Sequence, residues 1–186
     1  MNYLSVENLV KTYGERTLFK DISFGLAKGD KVALIANNGT GKSTLLRILA
    51  GQDVADGGEF SFRDGIRVSF LEQEPVLTDD DNITIEAFVR EASAEVLAII
   101  RDYEAALENS MSGEEEHLKA LERTSILMDA REAWDFDRRL ETMLGRFGIH
   151  DLNQKVNSLS GGQKKRLAIA ITVLDQPEFL ILDEPT

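Results

Sequence analysis

Five apolar residues in a row, Val32-Ala33-Leu34-Ile35-Ala36, run straight into a polar stretch, Asn37 to Gly41, and then into Lys42-Ser43-Thr44. Few features restrict a fold more. An unbroken apolar run without alternation reads as a strand covered on both faces, and such strands belong to parallel sheets flanked by helices. The pattern beyond the loop predicts a helix from Lys42 to about Ala50, ended by Gly51. A second apolar run, Phe179-Leu180-Ile181-Leu182, delivers two adjacent carboxylates, Asp183 and Glu184. A chain with these two segments is expected to be α/β, with both runs in one buried sheet.

The loop Ala36-Asn37-Asn38-Gly39-Thr40-Gly41-Lys42-Ser43-Thr44 departs by one residue from the phosphate-loop pattern Gly-x4-Gly-Lys-[Ser/Thr], because Ala36 stands in the first glycine's place. The physics tolerates the change. Gly39 and Gly41 let the backbone curl so that successive N–H groups point into one phosphate-binding concavity, and the following helix adds its positive end. Lys42 sets a compact charge against the β- and γ-phosphates, while Ser43 offers a hydroxyl to magnesium. Asp183 is positioned to hold the same ion through water, and Glu184 to polarise an attacking water. An Asp-Glu pair after a strand is ordinary by itself; the loop upstream gives it weight. Together the segments imply a nucleoside triphosphate bound with Mg2+ and hydrolysed. Leu159-Ser160-Gly161-Gly162-Gln163 opens another predicted helix. Its residues alone fit either a plain N-cap, with Ser160 capping and the glycines turning, or a second anion site.

Alternation predicts a half-exposed strand at Tyr3–Glu7, and further strands are expected at Ile22–Leu26, Glu59–Phe62 and Arg67–Leu71. After Pro75 the spacing becomes helical: Val96, Ile99, Ile100, Tyr103 and Leu107, then Leu118, Leu121, Met128, Leu140 and Met143 in a stretch free of glycine and proline from Glu114 to Leu144, predict two antiparallel helices joined by a turn at Asn109–Gly113. Their Glu, Arg and Lys residues read as solvated outer faces. A further helix is expected at Gln163–Val173. The chain has no cysteine, which excludes disulfides and thiolate metal sites and suits a reducing compartment. No apolar stretch approaches the ~20 residues of a membrane span, and the N-terminus lacks the zones of a secretion signal, so the expectation is a cytoplasmic protein. A net charge of −12 argues against broad, nonspecific attraction to nucleic acid.

The phosphate loop, Ser160-Gly161-Gly162-Gln163 and Leu182-Asp183-Glu184-Pro185-Thr186 occur in the order and spacing of ATP-binding cassette (ABC) ATPases, which the chain resembles along essentially all its length. Tyr13, in Lys11-Thr12-Tyr13-Gly14, resembles the aromatic that stacks on adenine, although by itself it reads as a strand-edge packing residue. Gln73 resembles the glutamine that senses magnesium and the γ-phosphate, although by itself it is an exposed polar residue. Within the superfamily the chain is most similar to the N-terminal cassette of the ABC-F subfamily. That similarity rests on Gln73-Glu74-Pro75, the long helical insertion, and Ala133–Arg139 leading into Leu144–Ile149. The resemblance implies a P-loop NTPase core with antiparallel β strands at the N-terminus and an inserted α-helical subdomain. The core would occupy residues 1–80, the helical subdomain with its arm-like hairpin 81–150, and the signature helix and Walker B strand 151–186.

The same resemblance implies that ATP and Mg2+ are held by Tyr13, Ala36 to Thr44, Gln73 and Asp183, with Glu184 and Gln73 catalytic. Ser160, Gly161, Gly162 and Gln163 would reach the nucleotide of a second cassette, expected in the same polypeptide, and hydrolysis would depend on closure of the pair. Ribosome, rRNA and tRNA are the implied partners. The alternatives are the nucleotide-binding subunit of a membrane transporter and a DNA-handling ABC ATPase. Finally, the chain resembles a cassette cut after its Walker B segment. The family's sheet has another strand between those of residues 32–36 and 179–183, so the core sheet is expected to be incomplete and these two segments not to pair.

Overall fold

The computed structural model describes residues 2–75 and 77–185. Contacts divide the chain into two compact units, one running from the N-terminus to Glu74 and resuming at Gln176, the other spanning Pro75–Asp175.

In the first unit, β1 (Asn2–Tyr13) lies between β2 (Arg16–Ala27) and β3 (Gly57–Phe62) in an antiparallel sheet. The hairpin is longer than alternation predicts because the alternation is interrupted. Asn8 takes a left-handed φ of 50°, and the register slips between Val6 and Leu9. Leu4 and Val6 are buried before this bulge, Leu9 and Lys11 after it, since one extra residue reverses which face each later side chain meets. Gly58 sits opposite with φ of 76°, and a Cβ there would lie 2.3 Å from the Asn8 carbonyl oxygen. The phase change has a polar consequence. Lys11, turned inward, donates to Asp53 Oδ1 at 2.8 Å and to the Val54 carbonyl at 2.6 Å, the pairing that a buried ammonium requires.

Helix α1 (Lys42–Leu49) lays Leu45, Ile48 and Leu49 on Leu4, Val6 and Leu9, forming a core that Ile181 joins. Two further strands, β4 (Val68–Leu71) and β5 (Phe179–Leu182), pair in parallel with Val68 opposite Phe179 and Leu71 opposite Leu182. Phe62 meets Phe179 edge-on at 5.0 Å. Glu178 fixes the start of this ladder by accepting from the Arg67 backbone N–H at 2.9 Å and its Nε at 3.3 Å.

One expectation fails in this unit. Residues 32–36 are not a buried strand: the segment is irregular, with Val32 68% and Ile35 90% exposed. The cause lies in pairing. An apolar strand in a parallel sheet is stabilised by neighbours on its edges and layers on its faces, and the β4–β5 sheet contains only those two strands among the described residues. Residues 32–36 and 179–183 do not pair, in keeping with the expected gap. Between them is an apolar groove of about 650 Å3 lined by Val32, Ala33, Leu34, Phe24, Leu45 and β5.

The second unit is helical. Helix α2 (Ile85–Ala92) is capped by Thr84, whose Oγ1 accepts from the Ala87 N–H at 3.2 Å. Helices α3 (Ala94–Ser110) and α4 (Glu115–Ala130) form the expected hairpin, turning at Gly113 with φ of 75°, but α4 ends at Ala130 instead of running on to Leu144, because Glu132 takes a left-handed φ of 47° that no helix continues through. A 3-10 turn, Ala133–Asp135, follows, with Trp134 edge-on to Tyr103 at 4.9 Å. Then come α5 (Phe136–Arg146), a second 3-10 turn at Val156–Ser158, and α6 (Gly161–Leu174). Ile85, Val89, Leu144, Ile149, Val156 and Leu167 are the centre of this unit's core. No helix among the described residues is long and apolar enough to cross a membrane.

Candidate functional site

The loop before α1 curls as its glycines allow. Gly39 has φ of 75° and Gly41, at the N-cap, φ of 96°. A Cβ on Gly41 would come within 3.1 Å of Leu18 Cβ and Phe19 Cδ1, so β2 presses on the loop and excludes a side chain there. Lys42 Nζ folds back over the loop, donating to the carbonyls of Ala36 at 2.9 Å and Asn37 at 3.1 Å, and to Asn38 Oδ1 at 3.4 Å. Thr40 Oγ1 donates to the Asn37 carbonyl at 2.8 Å. From β2, Arg16 Nη2 donates to the Gly39 carbonyl at 2.9 Å.

A distant part of the chain completes the concavity. Gln73, just after β4, donates from Nε2 to Glu184 Oε2 at 2.8 Å, and Glu184, just after β5, has a left-handed φ of 46°. Asp183 is 5% exposed, and its N–H donates to the Leu71 carbonyl at 2.9 Å, the last rung of the parallel ladder. The ladder therefore sets the position of both carboxylates. A cavity of about 380 Å3 is lined by Asn38, Gly39, Gly41, Lys42, Ser43 and Thr44 on one side and Gln73 and Glu184 on the other, with Leu18 as an apolar wall.

This donor set fits a triphosphate with magnesium. An ammonium, two hydroxyls and a glycine-turned backbone at a helix N-terminus favour an anion, and the loop holds no carboxylate to oppose one. No group of three or more His, Cys, Asp or Glu able to hold a metal occurs among the described residues. Mg2+ takes one or two carboxylates and fills its octahedron with water and phosphate oxygens, and the Ser43 hydroxyl with the Asp183 carboxylate is a donor set of that kind.

The remaining expected residues are placed elsewhere. Tyr13 ends β1 and does not line this cavity; it is 57% exposed, its hydroxyl donates to Asp53 Oδ2 at 3.1 Å, and Lys11 Nζ lies 5.2 Å from its ring centroid. The hydrogen bond from Lys11 holds the Asp53 carboxyl below its ordinary range, and the Lys11 ammonium is raised in turn. Asp56 is lowered by the Thr12 hydroxyl and N–H, at 2.7 and 2.6 Å. In the helical unit, Ser160 and Gln163 form a capping box: the Gln163 N–H donates to Ser160 Oγ at 3.3 Å and the Ser160 N–H to Gln163 Oε1 at 2.9 Å. A Cβ on Gly161 or Gly162 would meet nothing within 4 Å. Packing inside the chain does not require glycine at either position. Sequence reasoning did not single out Arg16 or Leu18. No local pattern marks them, because their relevance arises from β2 lying against the loop.

The ABC transporter family model matches residues 19–186, and the chain belongs to that family of ATP-binding cassettes. Its relatives are of the ABC-F type. The chain is 42% identical over its whole length to the ABC transporter ATP-binding protein YfmR of Bacillus subtilis (strain 168), covering 30% of that protein. It is 30% identical over 98% of its length to the energy-dependent translational throttle protein EttA of Mycobacterium tuberculosis (strain ATCC 25618 / H37Rv), covering 32% of it. To the tylosin resistance ATP-binding protein TlrC of Streptomyces fradiae it is 34% identical over 98% of its length, covering 34%. The chain thus spans about a third of these relatives. A solved ATP-binding subunit of an ABC transporter superposes with a TM-score of 0.69 over 98% of the chain and 66% of that subunit, at 25% identity.

Proposed function

We propose that the full-length protein is a soluble ABC-F type ATPase that binds ATP and Mg2+ at the Lys42 cavity and acts on the translation machinery. The observation that carries the ATPase reading is the convergence of the glycine-turned loop with Gln73 and Glu184, whose side chains are hydrogen-bonded although 111 residues apart. The translational part is supported by the relatives called translational throttles. On ATP binding, Lys42 exchanges its carbonyl partners for β- and γ-phosphate oxygens, and the backbone from Ala36 through Asn37, Asn38, Gly39, Thr40, Gly41 to Thr44 wraps the phosphates. Ser43, Gln73 and, through water, Asp183 would hold the metal. Magnesium, when bound, neutralises charge developing on the phosphate oxygens. Glu184 accepts a proton from the attacking water, and the Gln73 amide fixes which carboxylate oxygen is turned to it. Tyr13 stacks on the adenine. Ser160, Gly161, Gly162 and Gln163 approach the γ-phosphate of a second cassette, which accounts for glycines that no internal contact demands.

In the full-length protein Glu184→Gln is expected to keep ATP affinity and lower turnover by about a hundredfold or more, the size of a general-base contribution. Ribosomes are expected to co-sediment with that variant in ATP. Undiminished turnover would remove Glu184 as the base; failure to sediment would remove the translational role. A second reading, the motor cassette of a membrane transporter, is favoured by the solved transporter subunit and would be recognised by co-purification with a membrane-spanning partner.

A further inference from the structure

Tyr13 is exposed at the end of β1, yet its side chain is held at two points. Its hydroxyl donates to Asp53 Oδ2 at 3.1 Å. The carboxylate that accepts it is itself fixed, because Oδ1 accepts from Lys11 Nζ at 2.8 Å and from the Val54 N–H at 2.7 Å. Lys11 is buried and anchored again on the Val54 carbonyl at 2.6 Å. Its ammonium also lies over one face of the Tyr13 ring, 5.2 Å from the centroid, a placement that attracts cation and ring. Tyr13 is not among the side chains packed against the first unit's core. Burial therefore does not explain the hold; what it leaves is an aromatic ring with its tip tied, one face covered and the rest open to solvent.

The same end of the hairpin is tied to the phosphate loop. Tyr13 pairs with Arg16 across the β1–β2 turn, and Arg16 Nη2 donates to the Gly39 carbonyl at 2.9 Å. Asp53 in turn follows α1, the helix that the loop opens. Loop, ring and carboxylate thus belong to one frame of short polar contacts. A group that binds a ligand is most effective when neighbours lock its rotamer beforehand, because a side chain that must first be ordered takes back part of the contact energy.

We propose that Asp53, held by Lys11, is a positioning residue for the nucleotide base: it fixes the Tyr13 ring as a stacking platform before ATP arrives. This role rests on the stacking proposed for Tyr13 above. The test compares, by calorimetry on the full-length protein, the binding of ATP with Mg2+ and of inorganic tripolyphosphate with Mg2+, which offers phosphates without a base. Tyr13→Phe keeps the ring and removes only the hydroxyl that Asp53 holds. It is expected to weaken ATP about three- to tenfold, the size of ordering one side chain, and to leave tripolyphosphate affinity as it was. Asp53→Ala is expected to do the same. Combined with Tyr13→Phe it should add little, since both changes break one contact. Tyr13→Ala, which removes the platform itself, is expected to cost ATP more than either. Full ATP affinity in Tyr13→Phe beside a loss in Tyr13→Ala would overturn the positioning role and leave the stacking intact. An Asp53→Ala loss shared equally by tripolyphosphate, or added in full to that of Tyr13→Phe, would overturn it too, making Asp53 a residue of the fold alone. Should Asp53→Ala not fold, Tyr13→Phe decides by itself. Unchanged ATP affinity in Tyr13→Ala would instead remove the stacking, and this role with it.

Discussion

At the scale of single residues, the Lys42 ammonium is held over its own loop by neutral oxygens. Lys42 rests on two carbonyls and an amide oxygen, so the proposed phosphate binding would replace neutral acceptors with charged ones at the same ammonium. Lys42→Ala in the full-length protein is therefore expected to weaken ATP binding by about 2–3 kcal/mol, the upper range for a hydrogen bond to a charged group, which is roughly 30- to 150-fold in a nucleotide titration. Equal affinity would refute the role. A different kind of coupling operates around Lys11. Asp53 and Asp56 are both held below their ordinary range, Asp53 chiefly by the Lys11 ammonium and Asp56 chiefly by the Thr12 hydroxyl. Groups with lowered folded-state values stabilise above the unfolded carboxylate value of about 3.9 and lose that contribution as pH falls through the folded one. Urea midpoints of the protein should then fall below about pH 4, and fall less steeply in Asp53→Asn. Identical acid profiles would argue that the cluster carries no linked stability.

At the scale of elements, one bulge decides much of the first unit. Asn8 reverses the phase of β1, which buries Lys11 and thereby creates the need for Asp53. The bulge itself depends on Gly58, because any Cβ there would overlap the Asn8 carbonyl. Gly58→Ala is expected to destabilise by more than the ~1 kcal/mol of an ordinary positive-φ glycine replacement, read as a drop in the denaturation midpoint. Gly65→Ala is the control, having φ of 79° but open space around it. If both cost the same, the close approach at Gly58 contributes nothing. The β4–β5 ladder is the other deciding element, since its last rung, Asp183 N–H to Leu71, fixes where Gln73 and Glu184 meet.

At the scale of the whole molecule, the groove beside residues 32–34 leaves Val32 and Leu34 exposed next to β5. Unpaired backbone N–H and C=O groups carrying exposed apolar side chains, next to a strand with one open edge, invite pairing with another strand. Amides of residues 32–36 are expected to exchange with solvent far faster than those of Leu4–Leu9 or Leu45–Leu49. Protection there equal to that of β5 would mean that the segment pairs after all.

Local pattern made most of the elements legible: the helix after Lys42, the strand before Asp183, the helical hairpin after Pro75 and the cap at Ser160 each depend on residues within a turn or two of themselves. The same locality made the loop's chemistry legible, since glycine curvature and a following lysine act on their own neighbours. What sequence could not decide was anything requiring a partner from far away. Val32–Ala36 has every intrinsic feature of a buried strand and is not one, because a strand exists only when another edge accepts its hydrogen bonds. The length of β1 and β2 was hidden by a bulge whose cause, Gly58, lies fifty residues downstream. Arg16 and Leu18 joined the site only through packing of β2, and Gln73 met Glu184 only through a parallel ladder. The sequence thus determined which chemical groups are available and the local bends that present them; tertiary structure decided which of them share a cavity, because long-range pairing is set by competition among edges and faces that no short window contains.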